Sequence, residues 1–289
     1  MDPDPLLVVR SYGGGADREL VGLFCAILAL GRARAIVDAT RRCLAPFGAD
    51  PAATIAELGP AKTRELIGLD AYRFFTRRDM AALLSGVVQV QLRFGSLEAA
   101  FASGAERAND PAGAAPRGAT YEGLSARLLG LCDLFVERVL GAAREAAALA
   151  DGAVLRVGDS AGMPEAAGGT GPVAPPLGLA RNLLPAPRDG SACKRLMLFL
   201  RWMVRRDAVD VGEWTSVSPG ELVIPLDTHV HRIARELGLT SRATADLAAA
   251  LEVTESLRAY DPLDPVRFDF SLSRLGIRSD YSLKDYLYP

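Results

Sequence analysis

The sequence predicts an all-α fold, on three observations. Apolar residues recur at helical rather than alternating spacing through most of the chain. Ala, Leu, Arg and Glu, all good helix formers, dominate its longer segments. Strand signals are confined to two short β-branched runs, Leu6 to Val9 and Ala153 to Val157, each able to make no more than an isolated ribbon.

In chain order, helices are expected from Asp17 or Arg18 to about Gly31, from Ala33 to about Phe47, from Arg78 to Val90, from Leu97 to Ser103, and over the Ala/Leu/Arg/Glu-rich stretch from Tyr121 to Ala150. Later ones are expected at 191–206, 228–237, 241–259 and 265–275. Two stretches rich in Gly, Ala and Pro, 109–119 and 158–178, read as loops. No repeat of fixed period is found.

The chain has 289 residues and is 49% apolar, which supports a substantial core in one large domain or two small ones. Its longest strongly apolar run, Leu20 to Leu30, is far short of a bilayer span, and no secretion signal is visible, so a soluble cytoplasmic location is expected. Cys25, Cys43, Cys132 and Cys193 are scattered without a C-x-x-C pair, which argues against a zinc ribbon or an iron–sulfur cluster. A net charge of −2 disfavours a general polyanion binder, but a basic patch exists locally. Arg188, Lys194, Arg195, Arg201, Arg205 and Arg206 face only one acidic residue, Asp189, in that stretch.

Both histidines lie in "VIPLDTHVHRIARELGL", residues 223–239. Val230, Ile233, Ala234 and Leu237 form the apolar stripe of a helix, so steps of about 100° put His229 roughly 200° from Asp227 and His231. The three cannot converge on one metal. Pro225 biases Ile224 towards extended backbone, which puts the helix start at Asp227 or Thr228 and makes Asp227 an N-cap.

Arginine outnumbers lysine heavily, and the lysines are Lys62, Lys194 and Lys284 alone. Lys194 opens "KRLMLFLRWMVRR", where Leu196, Phe199, Leu200, Met203 and Val204 make a core stripe. On the same wheel Lys194, Arg201 and Arg205 lie within roughly 40° of one another, nearly opposite that stripe, so the basic face is expected to point away from the core. In the first turn, the helix dipole and Arg195 disfavour the ammonium form, as an amine nucleophile requires. Arginine cannot take that part. The alternative is a solvated lysine.

Residues 225–239, "PLDTHVHRIARELGL", resemble the "VDTHV-x-R-V-x-x-R-L-G-L" segment of the helix–hairpin–helix DNA glycosylases, the superfamily of endonuclease III and the adenine glycosylases. The spacing from Lys194 to Asp227 is more similar to that of the archaeal 8-oxoguanine glycosylases, although "LLPAPRDGSAC" (183–193) lacks the Gly-x-Gly turn of the endonuclease III branch. Over about 17–278 the chain also resembles a bacterial family known mainly as a domain of unknown function. The resemblance implies a glycosylase-like fold of two helical subdomains with a cleft between them. Residues 1–69 would pack with the C-terminal part, 70–212 would form a central subdomain with the 183–193 hairpin and the Lys194 helix, and 213–289 would carry Asp227.

The function so implied is base-excision DNA repair by a monomeric glycosylase with AP-lyase activity, needing no cofactor or metal, with 8-oxoguanine the first substrate to try. The partner is double-stranded DNA carrying a damaged base, in the cytoplasm at the nucleoid. Lys194 and Asp227 would be catalytic. Arg188, Ser191, Arg195, Arg201 and Arg205 would contact DNA, and Trp214, His231 and Trp202 would line the base pocket. Tyr72, Phe74 and Phe75 read as core. Three alternatives stand: a non-catalytic DNA-binding module of the same fold, a monofunctional glycosylase on an alkylated or deaminated base, and a metal-dependent hydrolase using Asp227 and His231.

Overall fold

The computed structural model describes residues 4–104, 123–152 and 184–277. Among them run helices α1 (Leu6–Arg10), α2 (Ala16–Ile27), α3 (Ala33–Leu44), α4 (Pro51–Leu66), α5 (Arg77–Phe94), α6 (Leu97–Ala102), α7 (Ala126–Ala150), α8 (Lys194–Val204), α9 (Thr228–Glu236), α10 (Leu247–Arg258) and α11 (Asp269–Ile277). Strand structure among the described residues amounts to a small antiparallel ribbon, β1 (Ala71–Tyr72) with β2 (Phe75–Thr76), and two isolated bridges. The protein is therefore mostly helical. No helix among these residues is long and apolar enough to cross a membrane.

Three local expectations change. Leu6 to Val9 is helix α1 rather than strand: Leu6 N–H donates to Asp4 Oδ1 at 2.9 Å, a helix-start contact, and Leu6, Val8 and Val9 are buried on the core. An aspartate and a proline at the start outweigh the β preference of the valines once one face has a core to meet. Helix α4 was not expected; it begins with Pro51 at its first position and is broken at Gly59–Pro60, so its apolar spacing is interrupted midway. The 71–76 ribbon was also missed, because strands of two residues carry no alternation to read. Ala153 to Val157 and the 109–119 and 158–178 loops lie outside the described residues.

One continuous apolar core runs from Leu6 to Leu272. At its centre α5 crosses α7 closely at Gly86, where an added Cβ would come within 2.5 Å of the Ala143 backbone nitrogen. Gly86→Ala should therefore force the helices apart and cost about 1–3 kcal/mol, read as a lower midpoint in urea unfolding. A midpoint unchanged from wild type would mean that the crossing gives way without strain.

Helix α8 is buried in this core. Phe199 and Met203 lie against Gly22 of α2, while Arg195 reaches Ile27 at the other end of α2, so the two helices run antiparallel. The start of α8 is thereby set beside the end of α2.

Candidate functional site

Lys194 is the first helical residue of α8, and Asp227 is the N-cap of α9. The two meet across the fold, with Lys194 Nζ 3.6 Å from Asp227 Oδ2. The carboxylate divides its work: Oδ1 accepts from the backbone N–H groups of His229 (2.9 Å) and Val230 (2.8 Å), and Oδ2 faces the amine. Both side chains are about one-third exposed, 35% and 29%. An ion pair that open to water adds little to stability, so folding alone does not account for the pairing.

Each partner is held by its own segment. Before Asp227, Leu222 to Leu226 are buried, and Ile224 N–H donates to Thr254 Oγ1 at 3.0 Å, which fixes the approach to the cap. Before Lys194 comes a compact hairpin. Pro187 to Asp189 form a single 3-10 turn, Gly190 follows at φ 74° where glycine is unstrained, and its carbonyl accepts from Leu247 N–H at 3.0 Å. On the other side Arg188 N–H donates to the buried Asp133 of α7 at 3.0 Å.

Cys193 then takes φ 48°, a left-handed conformation costly for a side chain with a Cβ, immediately before Lys194. Its thiol donates to Pro185 O at 3.1 Å, and its N–H donates to Ser191 Oγ. Burial pushes that thiol up to about 12, so it acts as a small packed group rather than a nucleophile.

Asp227 allows a cap to be separated from chemistry. Asp227→Ala should lose about 0.5–2 kcal/mol with the cap, whereas Asp227→Asn, which caps equally well, should stay within about 0.5 kcal/mol of wild type. Thermal melts of the two variants check this. Equal destabilisation of both would show that the charge, and not the cap, sets the stability of α9.

Two of the five expected DNA-contact residues turn inward. Arg201 and Arg205 are buried and bound by carboxylates: Arg201 to Asp210 (2.9 Å) and Asp269, Arg205 to Asp210, Asp207 (2.9 Å) and Asp264 (2.9 Å). The face of α8 opposite the apolar stripe does not meet solvent, because residues 207–210 and 264–269 fold over it. Burial pushes the carboxyls of Asp210 and Asp269 up from their usual range, and the guanidinium of Arg201 pulls them back.

Arg188 pairs with Glu137, and Ser191 Oγ is occupied by Cys193 N–H. Arg195 is half-buried and donates to Ile27 O at 3.4 Å. Arg188, Ser191 and Arg195 nonetheless border a cleft of about 850 Å³ with Val136, Leu140 and Arg144. Arg206, exposed, donates to Gly212 O.

Of the expected base-pocket residues, Trp214 and Trp202 are buried in the core, and His231 lies one turn into α9, its backbone N–H donating to Asp227 O at 2.8 Å. Trp214 is buried among Phe101, Phe135 and Phe199, and its indole N–H donates at 2.9 Å to Glu19, a buried carboxylate that also accepts from Leu97 and Glu98 N–H. Trp202 is buried, and its carbonyl accepts from Val211 and Gly212 N–H. His231 is buried with Nε2 3.0 Å from Arg242 O, and His229 is exposed on another side of α9. Among the described residues, no three His, Cys, Asp or Glu side chains are grouped to hold a metal.

A family model described as "Protein of unknown function (DUF2400)" matches residues 4–128 and 176–278. No curated protein and no solved structure matches. The family match corrects the resemblance drawn from residues 225–239: no helix–hairpin–helix glycosylase family is indicated. A short segment around a helix start shares its pattern for a local reason, since extended backbone, a capping aspartate and an amphipathic helix demand similar residues wherever they occur.

Proposed function

The chain belongs to the DUF2400 family, and from the chemistry of its site we propose that it is a DNA glycosylase with AP-lyase activity, acting on a damaged base in duplex DNA. The observation that carries this reading is the pair Lys194 Nζ and Asp227 Oδ2 at 3.6 Å, about one-third exposed and built on two separate helix starts. A lysine amine beside a carboxylate that can take its proton is suited to displacement at a carbon bearing a good leaving group.

Lys194 loses a proton to Asp227, and its nitrogen lone pair attacks the sugar C1′. The bond from C1′ to the base breaks, and the base leaves with those electrons and takes up a proton. The nitrogen on C1′ then gives up a proton, and its lone pair expels the ring oxygen, which takes up a proton as a hydroxyl, to give a C1′=N iminium. Loss of a proton from C2′ eliminates the 3′ phosphate, and water hydrolyses the imine to release the enzyme. Asp227 is held by its cap so that one oxygen remains for this work.

The test is borohydride trapping on labelled duplexes carrying 8-oxoguanine, uracil, an alkylated purine or an abasic site. The expected result is a covalent adduct on one lesion, formed by wild type and absent from Lys194→Ala. Base release without an adduct would leave a monofunctional glycosylase. Uniform, salt-sensitive binding to every duplex with neither product would overturn the catalytic reading in favour of a binding module.

A further inference from the structure

Phe75 is buried at 1% exposure, but its neighbour Phe74 is 75% exposed, against the expectation that both are core. The two belong to the β1–β2 ribbon, in which Ala71 pairs with Thr76 and Tyr72 with Phe75, leaving Arg73 and Phe74 as its two-residue turn. Arg73 has φ 57°, the left-handed value such a tight turn needs. Phe75 anchors the ribbon in the core, and Tyr72 Oη donates to Leu30 O at 3.0 Å, so the tip is supported from behind and its aromatic ring stands in water.

The ribbon and the start of α8 both attach to the segment that ends α2. Arg195, next to Lys194, donates to Ile27 O, and three residues later Leu30 O receives Tyr72. Gly31 follows, and the Arg73 guanidinium occupies the space where a Cβ would stand. From Ile27 to Gly31 the chain can span at most roughly 14 Å.

Charge around this segment is positive. Arg32, Arg34 and Arg73 are exposed, and among the described residues no carboxylate forms an ion pair with them, whereas the nearby Arg64, Arg77 and Arg78 are taken by Asp151 and Asp70. An exposed aromatic ring beside arginines that no described carboxylate pairs has the chemistry of a surface for nucleic acid: the ring stacks on bases and the guanidiniums meet phosphates.

We propose that Phe74 is the wedge that enters the base stack of duplex DNA beside the nucleotide presented to Lys194, with Arg32, Arg34 and Arg73 on the flanking phosphates. The proposal rests on the nucleic-acid reading of the Lys194 site and assigns a positioning residue to it. Inserting an apolar side chain at a base step unstacks it, and occupying the gap keeps a flipped nucleotide from returning. The ribbon is anchored by Phe75 and Tyr72, and Phe74, three-quarters exposed, contributes little burial to the fold.

The experiment uses the full chain and a duplex with a tetrahydrofuran abasic-site analogue beside 2-aminopurine, whose fluorescence rises when it unstacks. Wild type should raise the signal, Phe74→Ala should lose at least about tenfold of that response at equal saturation, and Phe74→Leu and Phe74→Trp should restore most of it. Thermal melting should be unchanged in all three variants. Arg32→Gln with Arg73→Gln should lower the slope of log affinity against log salt by about two.

A response from Phe74→Ala equal to wild type would overturn the proposal. Because the probe carries no base to release, the two readings fail separately. Phe74-dependent unstacking with no borohydride adduct on any lesion keeps the wedge and removes the glycosylase. An adduct with unstacking indifferent to Phe74 does the reverse.

Discussion

Replacing Lys194 by alanine should abolish the borohydride adduct and slow base release by at least about a thousandfold, roughly 4 kcal/mol of barrier, while leaving the protein folded. The second half of that expectation follows from exposure. Lys194 is 35% exposed and its ion pair with Asp227 is 3.6 Å long, so its removal should change stability by no more than about 1 kcal/mol. Lys194→Arg separates the two roles a cation can play at this position. It keeps a positive charge for DNA but cannot lose a proton, so binding should persist and the adduct should vanish. An arginine variant that still released base at the wild-type rate would show that the nitrogen never attacks.

The largest loss of stability should come from the buried carboxylate Asp210. It binds Arg201 at 2.9 Å and also Arg205, and its own side chain is inaccessible to water. Asp210→Ala leaves two buried guanidiniums with one carboxylate fewer, which should cost about 3–5 kcal/mol in urea unfolding. A loss below about 1 kcal/mol would mean that Asp207, Asp264 and Asp269 suffice to neutralise them. The network has a further consequence for the site. Arg201 ties α8 to Asp269 at the start of α11, and α11 packs on α9, which carries Asp227 at its cap. The separation of Lys194 from Asp227 thus depends on charges that never reach solvent.

Much of the fold was legible because helices announce themselves locally. The stripe Leu196, Phe199, Leu200, Met203 and Val204 is buried along α8, and Asp227 caps α9 as the proline and the helical spacing indicated. The opposite face of α8 was misread for a physical reason: helical phase says which residues share a face, not what lies against it. The carboxylates that cover Arg201 and Arg205 come from residues 207–210 and 264–269, and the one available signal was the acidic run "DPLDPVRFDF" waiting for cations. The burial of Trp214 was equally illegible, since its partner Glu19 lies 195 positions away.

Sequence by itself determined the elements that depend on near neighbours: the helical class, the cap at Asp227, the first-turn position of Lys194 and the placing of His229 on another side of α9 from His231. Only the tertiary structure decided what depends on distant ones. It brought Lys194 to Asp227, buried the arginines expected outside, and exposed the phenylalanine expected inside. Periodicity and capping are properties of backbone geometry over a few residues, whereas burial and ion pairing are set by which segments the core draws together.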